Sequence, residues 1–99
     1  MRALTVKDKE RGKKLIELGC IVCLIHLEVF TPTGIHHIDG KTKPGCHQKT
    51  IGLCGRHHQI PDGQAKLWIS RHGDGRAAFE EAYGTEQELL EKTNELIGE

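Results

Sequence analysis

Aromatic side chains are scarce in this chain: one Trp, one Tyr and two Phe among 99 residues, within a hydrophobic content of 36%. A chain so short and so poor in large apolar groups builds a small core. Such cores ordinarily need a staple: a disulfide, a metal or a partner subunit. Long apolar runs are missing too. The longest, Cys20-Ile21-Val22-Cys23-Leu24-Ile25, falls far short of the roughly 20 residues a membrane helix requires. The opening MRALTVKDKERGKK is charged throughout and lacks the apolar stretch of a secretory leader. The expectation is a cytoplasmic chain with no membrane partner. Repeats and low-complexity tracts are absent as well, which fits a single domain over residues 1–99.

Net charge is zero, yet the zero hides a split. Residues 1–76 carry 13 Lys/Arg against 7 Asp/Glu, whereas residues 77–99 carry one Lys against seven Glu. A basic body with an acidic tail suits a polyanion binder better than the average charge implies.

The local patterns give an α+β layout. Residues 5–18 read as a helix capped by Thr5 or Asp8, with Leu15, Ile16 and Leu18 as its apolar residues and Gly19 just past its end. Short strands are expected at 33–38 and 49–53, separated by a loop over 39–45. A helical turn begins near Cys54 and stops before Pro61. Trp68 reads as a core anchor. A helix is expected at 76–83, with Ala77, Phe79 and Tyr83 available for packing. Thr85-Glu86-Gln87-Glu88 is a capping box opening a last helix that carries Leu89, Leu90, Leu96 and Ile97. The layout is a β-hairpin with a short helix behind it and helices at both ends: residues 5–18, a central 19–60 unit, and a helical tail over 61–99.

What the chain does have is four Cys and seven His. In a reducing compartment metal binding is the stronger use for such cysteines. Cys20-x-x-Cys23 and Cys54-x-x-His57, with 30 residues between them, are two half-sites of ligand spacing that can converge on one tetrahedral Zn²⁺. Cys46 is a fifth candidate for four positions and could stand in for His57. A second group, His36, His37, His47 and His58, is too dense for scaffold use alone. A non-catalytic zinc module that binds nucleic acid or protein would need the first set only.

The order Ile35-His36-His37-Ile38, loop, strand, Leu53-Cys54-x-x-His57-His58 resembles the HNH nucleases and their ββα-metal unit. Gly19-Cys20-Ile21-Val22-Cys23, the run from Cys46-His47 to His57-His58, and the tail His72-Gly-x-Gly-Arg76-x-x-Phe79-Glu-x-x-Tyr83-Gly-Thr-Glu-x-x-Leu-Leu90 are more specific. They resemble the recombination-enhancement (Ref-type, RecA-dependent) nucleases of phages and bacteria, from about Gly19 onward.

That resemblance implies a metal-dependent DNA endonuclease of HNH type, braced by a structural zinc and acting on DNA engaged by a recombinase filament. It implies His36 and His58 as ligands of a catalytic ion, His37 as general base, and His47 as a ligand or a holder of the scissile phosphate. His72 and Arg76 match the family's tail. The middle asparagine of the HNH pattern is absent. Among ions, an all-imidazole set favours Zn²⁺, Mn²⁺ or Ni²⁺ over Mg²⁺, and Asp39 could add an oxygen. Lys41, Lys43, Lys49 and Arg56 lie beside this site and are the candidate DNA contacts. The chain is expected to be a monomer or weak dimer. Successive residues of a regular strand face opposite ways, so β-structure is expected to twist or end near Asp39-Gly40 if His36 and His37 are both to serve the site.

Overall fold

Thr5 opens the first helix, α1 (Val6–Leu18), through a reciprocal cap. The Asp8 N–H donates to Thr5 Oγ1 at 3.1 Å, and the Thr5 N–H donates to Asp8 Oδ2 at 3.0 Å. Both candidate caps are therefore used at once, and each satisfies a donor that a helix start leaves over. The computed structural model describes residues 4–40, 42–59 and 69–99. Lys41 and the expected turn and Trp68 anchor within 60–68 lie outside the described residues.

The face that α1 buries differs from the expected one. Arg11 and Leu15 are buried, Leu18 is half-buried, and Ile16 is 48% exposed. Positions 11, 15 and 18 share one side of a 3.6-residue helix, and position 16 does not. After Gly19, residues 21–27 wind into a helical segment that ends as a π-helical turn, Cys23–Leu27. Nothing in the sequence pattern announced it. Ile21, Val22 and Cys23 turn inward while Ile25 and Leu27 turn out, so no single periodicity survives.

Two strands, β1 (Gly34–His37) and β2 (Thr50–Leu53), pair antiparallel with Gly34 opposite Leu53 and His37 opposite Thr50. Each is slightly shorter than expected, and a 3₁₀ turn, Cys46–Gln48, precedes β2. At Gly52 an added Cβ would lie 2.6 Å from the Gly19 carbonyl and 2.9 Å from Thr33 Oγ1. Only glycine lets the Gly19–Cys20 segment lie this close on β2. A short helix, α2 (Gly55–His58), follows β2 directly.

The helices α3 (Arg76–Tyr83) and α4 (Glu86–Ile97) form where the sequence places them, and α4 opens on the expected Thr85/Glu88 box. Phe79 is buried, Tyr83 half-buried and Ala77 exposed. The buried face of α4 is Glu86, Leu89, Leu90 and Thr93. The core gathers Ile21, Val22, Ile51, Leu53, Phe79, Leu89 and Leu90 around Cys20, Cys23 and Cys54. The described residues thus make a small α+β fold whose centre is a group of thiols. Among them no helix is long and apolar enough to cross a membrane.

Candidate metal centres

The Cys20 knuckle comes from the segment after α1, and Cys54 and His57 come from the start of α2. Gly52 and Gly19 bring these pieces together. Cys20, Cys23, Cys54 and His57 are all buried, and their ligand atoms lie within 4.8 Å of one another. The His57 Nδ1 sits 3.5 Å from Cys20 Sγ, 3.5 Å from Cys23 Sγ and 3.2 Å from Cys54 Sγ, while Cys23 and Cys54 Sγ are 3.8 Å apart. A tetrahedral zinc with Zn–S near 2.3 Å and Zn–N near 2.0–2.1 Å has edges of roughly 3.8 Å between sulfurs and about 3.5 Å between sulfur and nitrogen. These four separations lie within about 0.3 Å of those edges.

Its electrostatics ask for a cation. Burial pushes the Cys20 thiol up to about 12 and raises Cys23 as well. The Cys20 and Cys23 thiols ionise readily only if a positive charge offsets the lost hydration. Burial also lowers His57, keeping its imidazole neutral and its lone pair available for ligation. All four cysteines are free of disulfides. Cys46 is buried in the 3₁₀ turn and stands outside the cluster, so His57 completes the set among the described residues.

A second cluster holds His36 of β1, His58 of α2 and His72 of the turn before α3, with ring nitrogens again within 4.8 Å. His36 is buried, His58 half-buried and His72 exposed, so this centre opens to solvent. His36 Nδ1 and His58 Nε2 are 3.2 Å apart. Two nitrogens each about 2.1 Å from one ion lie roughly 3.0–3.4 Å apart, so the donors suit a borderline divalent ion. The backbone fixes His72 in place: the Arg71 and His72 N–H groups donate to the His57 and His58 carbonyls, each at 2.8 Å. Burial lowers His72 below the ordinary imidazole value, which again favours the neutral donor.

Behind His36 stands Glu86, 2% exposed. Its Oε2 meets His36 Nε2 at 2.5 Å, and its Oε1 accepts from Arg71 Nε at 3.0 Å and lies 3.4 Å from Arg76 Nε. Burial raises the Glu86 carboxyl, but the hydrogen bonds from His36 and Arg71 outweigh it and hold the group below its usual value. Sequence reasoning missed both Glu86 and Arg71. A signal for Glu86 existed: it falls three and four residues before Leu89 and Leu90, a carboxylate on an apolar face.

His37 takes no part in that cluster. β1 ends at this residue, two positions before the expected break at Asp39-Gly40, and the strand's alternation persists through it. His36 reaches His58 and Glu86, whereas His37 Nε2 meets His47 Nδ1 at 3.0 Å. A pocket of about 400 Å³ adjoins this pair, lined by Leu4, Asp8, Lys9, Gly12, Ile35 and Thr50. Asp39, a candidate oxygen ligand, pairs with Lys49 Nζ at 3.2 Å and lies outside both clusters. Arg76 spends its guanidinium on Glu80, at 2.6 Å, and on Glu86. Lys43, Lys49 and Arg56 are exposed.

A comparison with known families gives a match over nearly the whole chain. Residues 4–98 fit the model of the family described as recombination enhancement, RecA-dependent nuclease.

Proposed function

Because this chain belongs to the recombination-enhancement, RecA-dependent nuclease family, we propose that it is a metal-dependent DNA endonuclease of the HNH, ββα-metal type. Convergence of three imidazoles beside a thiolate cluster carries the proposal. The order β1, β2, α2 supports the ββα reading, with His36 on the first strand and His58 on the helix. Cys20, Cys23, Cys54 and His57 hold a structural zinc. His36 and His58, joined by His72, hold the catalytic ion, which is Zn²⁺, Mn²⁺, Ni²⁺ or Mg²⁺. When bound, that ion would offset charge on the phosphate and on the leaving 3′-oxygen.

The residues of the chain do the rest. His37 is the general base of this reading, and its Nε2 meets His47 Nδ1 at 3.0 Å, which holds the ring. Its imidazole takes the proton of the attacking water as the new P–O bond forms and the bond to the 3′-oxygen breaks. In-line displacement puts attacking and leaving oxygens on opposite sides of phosphorus. Alternation at the end of β1 puts His37 and the ligands on different faces, so this reading requires the phosphate to lie at the strand's end, where β1 stops at His37, to meet both. Lys41, Lys43, Lys49 and Arg56 hold flanking phosphates, and the DNA is presented by a RecA-type filament.

Metal analysis of the purified chain is the first test, followed by cleavage assays on single- and double-stranded DNA with and without the filament and with added Mn²⁺. Two ions per chain and cleavage are expected. One ion and no cleavage under any of these conditions would instead give a zinc-braced interaction module.

A further inference from the structure

We infer that Glu86 is the positioning residue of the catalytic-ion site: it dictates which ring nitrogen of His36 faces the ion and ties the segment carrying His72 to the same place. This rests on reading His36, His58 and His72 as the ligands of that ion.

A carboxylate offers acceptors only. With Glu86 Oε2 at 2.5 Å from His36 Nε2, that nitrogen must carry the hydrogen. A neutral imidazole then has a single lone pair, on Nδ1. This is the nitrogen that faces His58 Nε2 at 3.2 Å within the imidazole cluster. The carboxylate therefore sets the ligating tautomer, holds the ring plane and strengthens Nδ1 as a donor, as outer partners of metal-bound histidines generally do.

The second oxygen extends the argument. Glu86 Oε1 accepts from Arg71 Nε at 3.0 Å, and Arg71 directly precedes His72. Arg71 is also pinned by its own N–H to the His57 carbonyl. One buried carboxylate thus reaches β1 through one oxygen and the His72 turn through the other. A merely structural counter-ion for Arg71 and Arg76 would need neither the approach to His36 nor the choice of nitrogen.

The test uses the full chain carrying one equivalent of zinc on its thiolates, verified by elemental analysis. Co²⁺ is titrated into the second site and followed by calorimetry and visible absorption. Glu86→Ala should weaken Co²⁺ binding by about 10–100-fold with the thiolate zinc and helical circular dichroism unchanged. Glu86→Gln keeps an acceptor for Nε2–H and should lose less than the alanine variant does. Wild-type affinity in a zinc-loaded Glu86→Ala overturns the inference. If the alanine variant does not hold zinc, Glu86→Gln decides: several-fold weaker binding supports the inference, and unchanged binding overturns it. Nitrogen-detected imidazole resonances, recorded before Co²⁺ is added, should show His36 protonated on Nε2; protonation on Nδ1 overturns it. A wild type that takes up no second ion overturns the nuclease reading as well. Uptake that is indifferent to residue 86 overturns this inference alone.

Discussion

Neighbouring side chains of a strand leave opposite faces, and at the end of β1 that alternation sends His36 toward His58 and Glu86 and His37 toward His47. The division separates two roles that a mutation can tell apart. His37→Ala should lower cleavage by about 10²–10⁴-fold, the usual worth of a general base, while both ions and DNA affinity stay as they are. The measurement is single-turnover cleavage alongside metal content. A His37→Ala protein that cuts like wild type would pass the role to His47. The imidazoles were legible in the sequence because five histidines between positions 36 and 58 exceed any scaffold need. Glu86 and Arg11 were not, because each finds its main partner far along the chain: Glu86 at His36, and Arg11 at Thr50 and Glu99. A charge on a buried helix face can be read from spacing, but not what it pairs with.

At the scale of elements, α1 is fastened to the sheet by a guanidinium. Arg11, 1% exposed, donates Nε to Thr50 Oγ1 at 2.9 Å, Nη2 to the Thr50 carbonyl at 2.6 Å and Nη1 to Glu99 Oε1 at 3.0 Å. Thr50 Oγ1 in turn donates to the His47 carbonyl at 3.2 Å, so the helix braces the turn that holds His47. Arg11→Ala should cost roughly 2–3 kcal/mol in urea unfolding, since it strips a charge-assisted bond and leaves a buried carbonyl unpaired. A loss below about 0.5 kcal/mol, the scale of an ordinary surface change, would refute the clamp. Glu99 adds a pH dependence. Burial alone would raise its carboxyl, but hydrogen bonds from Arg11 and Lys14 outweigh burial and hold it below its ordinary value of 4.5. The unfolded chain therefore binds the extra proton first, and the stabilisation is whole above that value and fades as pH falls through the folded one. The stability gap between wild type and Glu99→Gln should shrink on acidification; a widening gap would contradict the clamp. The helices and strands themselves were readable to within a residue or two because caps and glycines mark their ends. The π-helical turn at Cys23–Leu27 was not. Its backbone follows the knuckle, where the Cys23 N–H points to Cys20 Sγ at 3.5 Å, rather than any apolar period.

For the molecule as a whole, the acidic tail folds back on the basic body. Glu99 takes Arg11 and Lys14, and Glu86 takes Arg71. These cations are committed to the fold, and Lys49 is paired with Asp39, whereas the proposed DNA contacts Lys43 and Arg56 are exposed. If about four phosphates are contacted, log affinity should fall with log salt at a slope of roughly −3 to −4. Filter-binding or anisotropy across salt concentrations measures it, and a flat profile would remove the phosphate contacts. The charge split was visible in the sequence; its partly internal use was not, because composition carries no pairing. One last feature joins the two centres. His57 and His58 are consecutive on α2, and their carbonyls carry the N–H groups of Arg71 and His72. The scaffold is one turn of helix, so on the proposed two-ion reading occupancy of either centre should bias the other, and chelating the thiolate zinc should weaken uptake of the second ion. Linkage makes the coupling reciprocal. Whatever factor the thiolate zinc adds to affinity at the imidazoles, an ion on the imidazoles must add to retention of the zinc, and competitive chelator titrations run in both directions should return the same number.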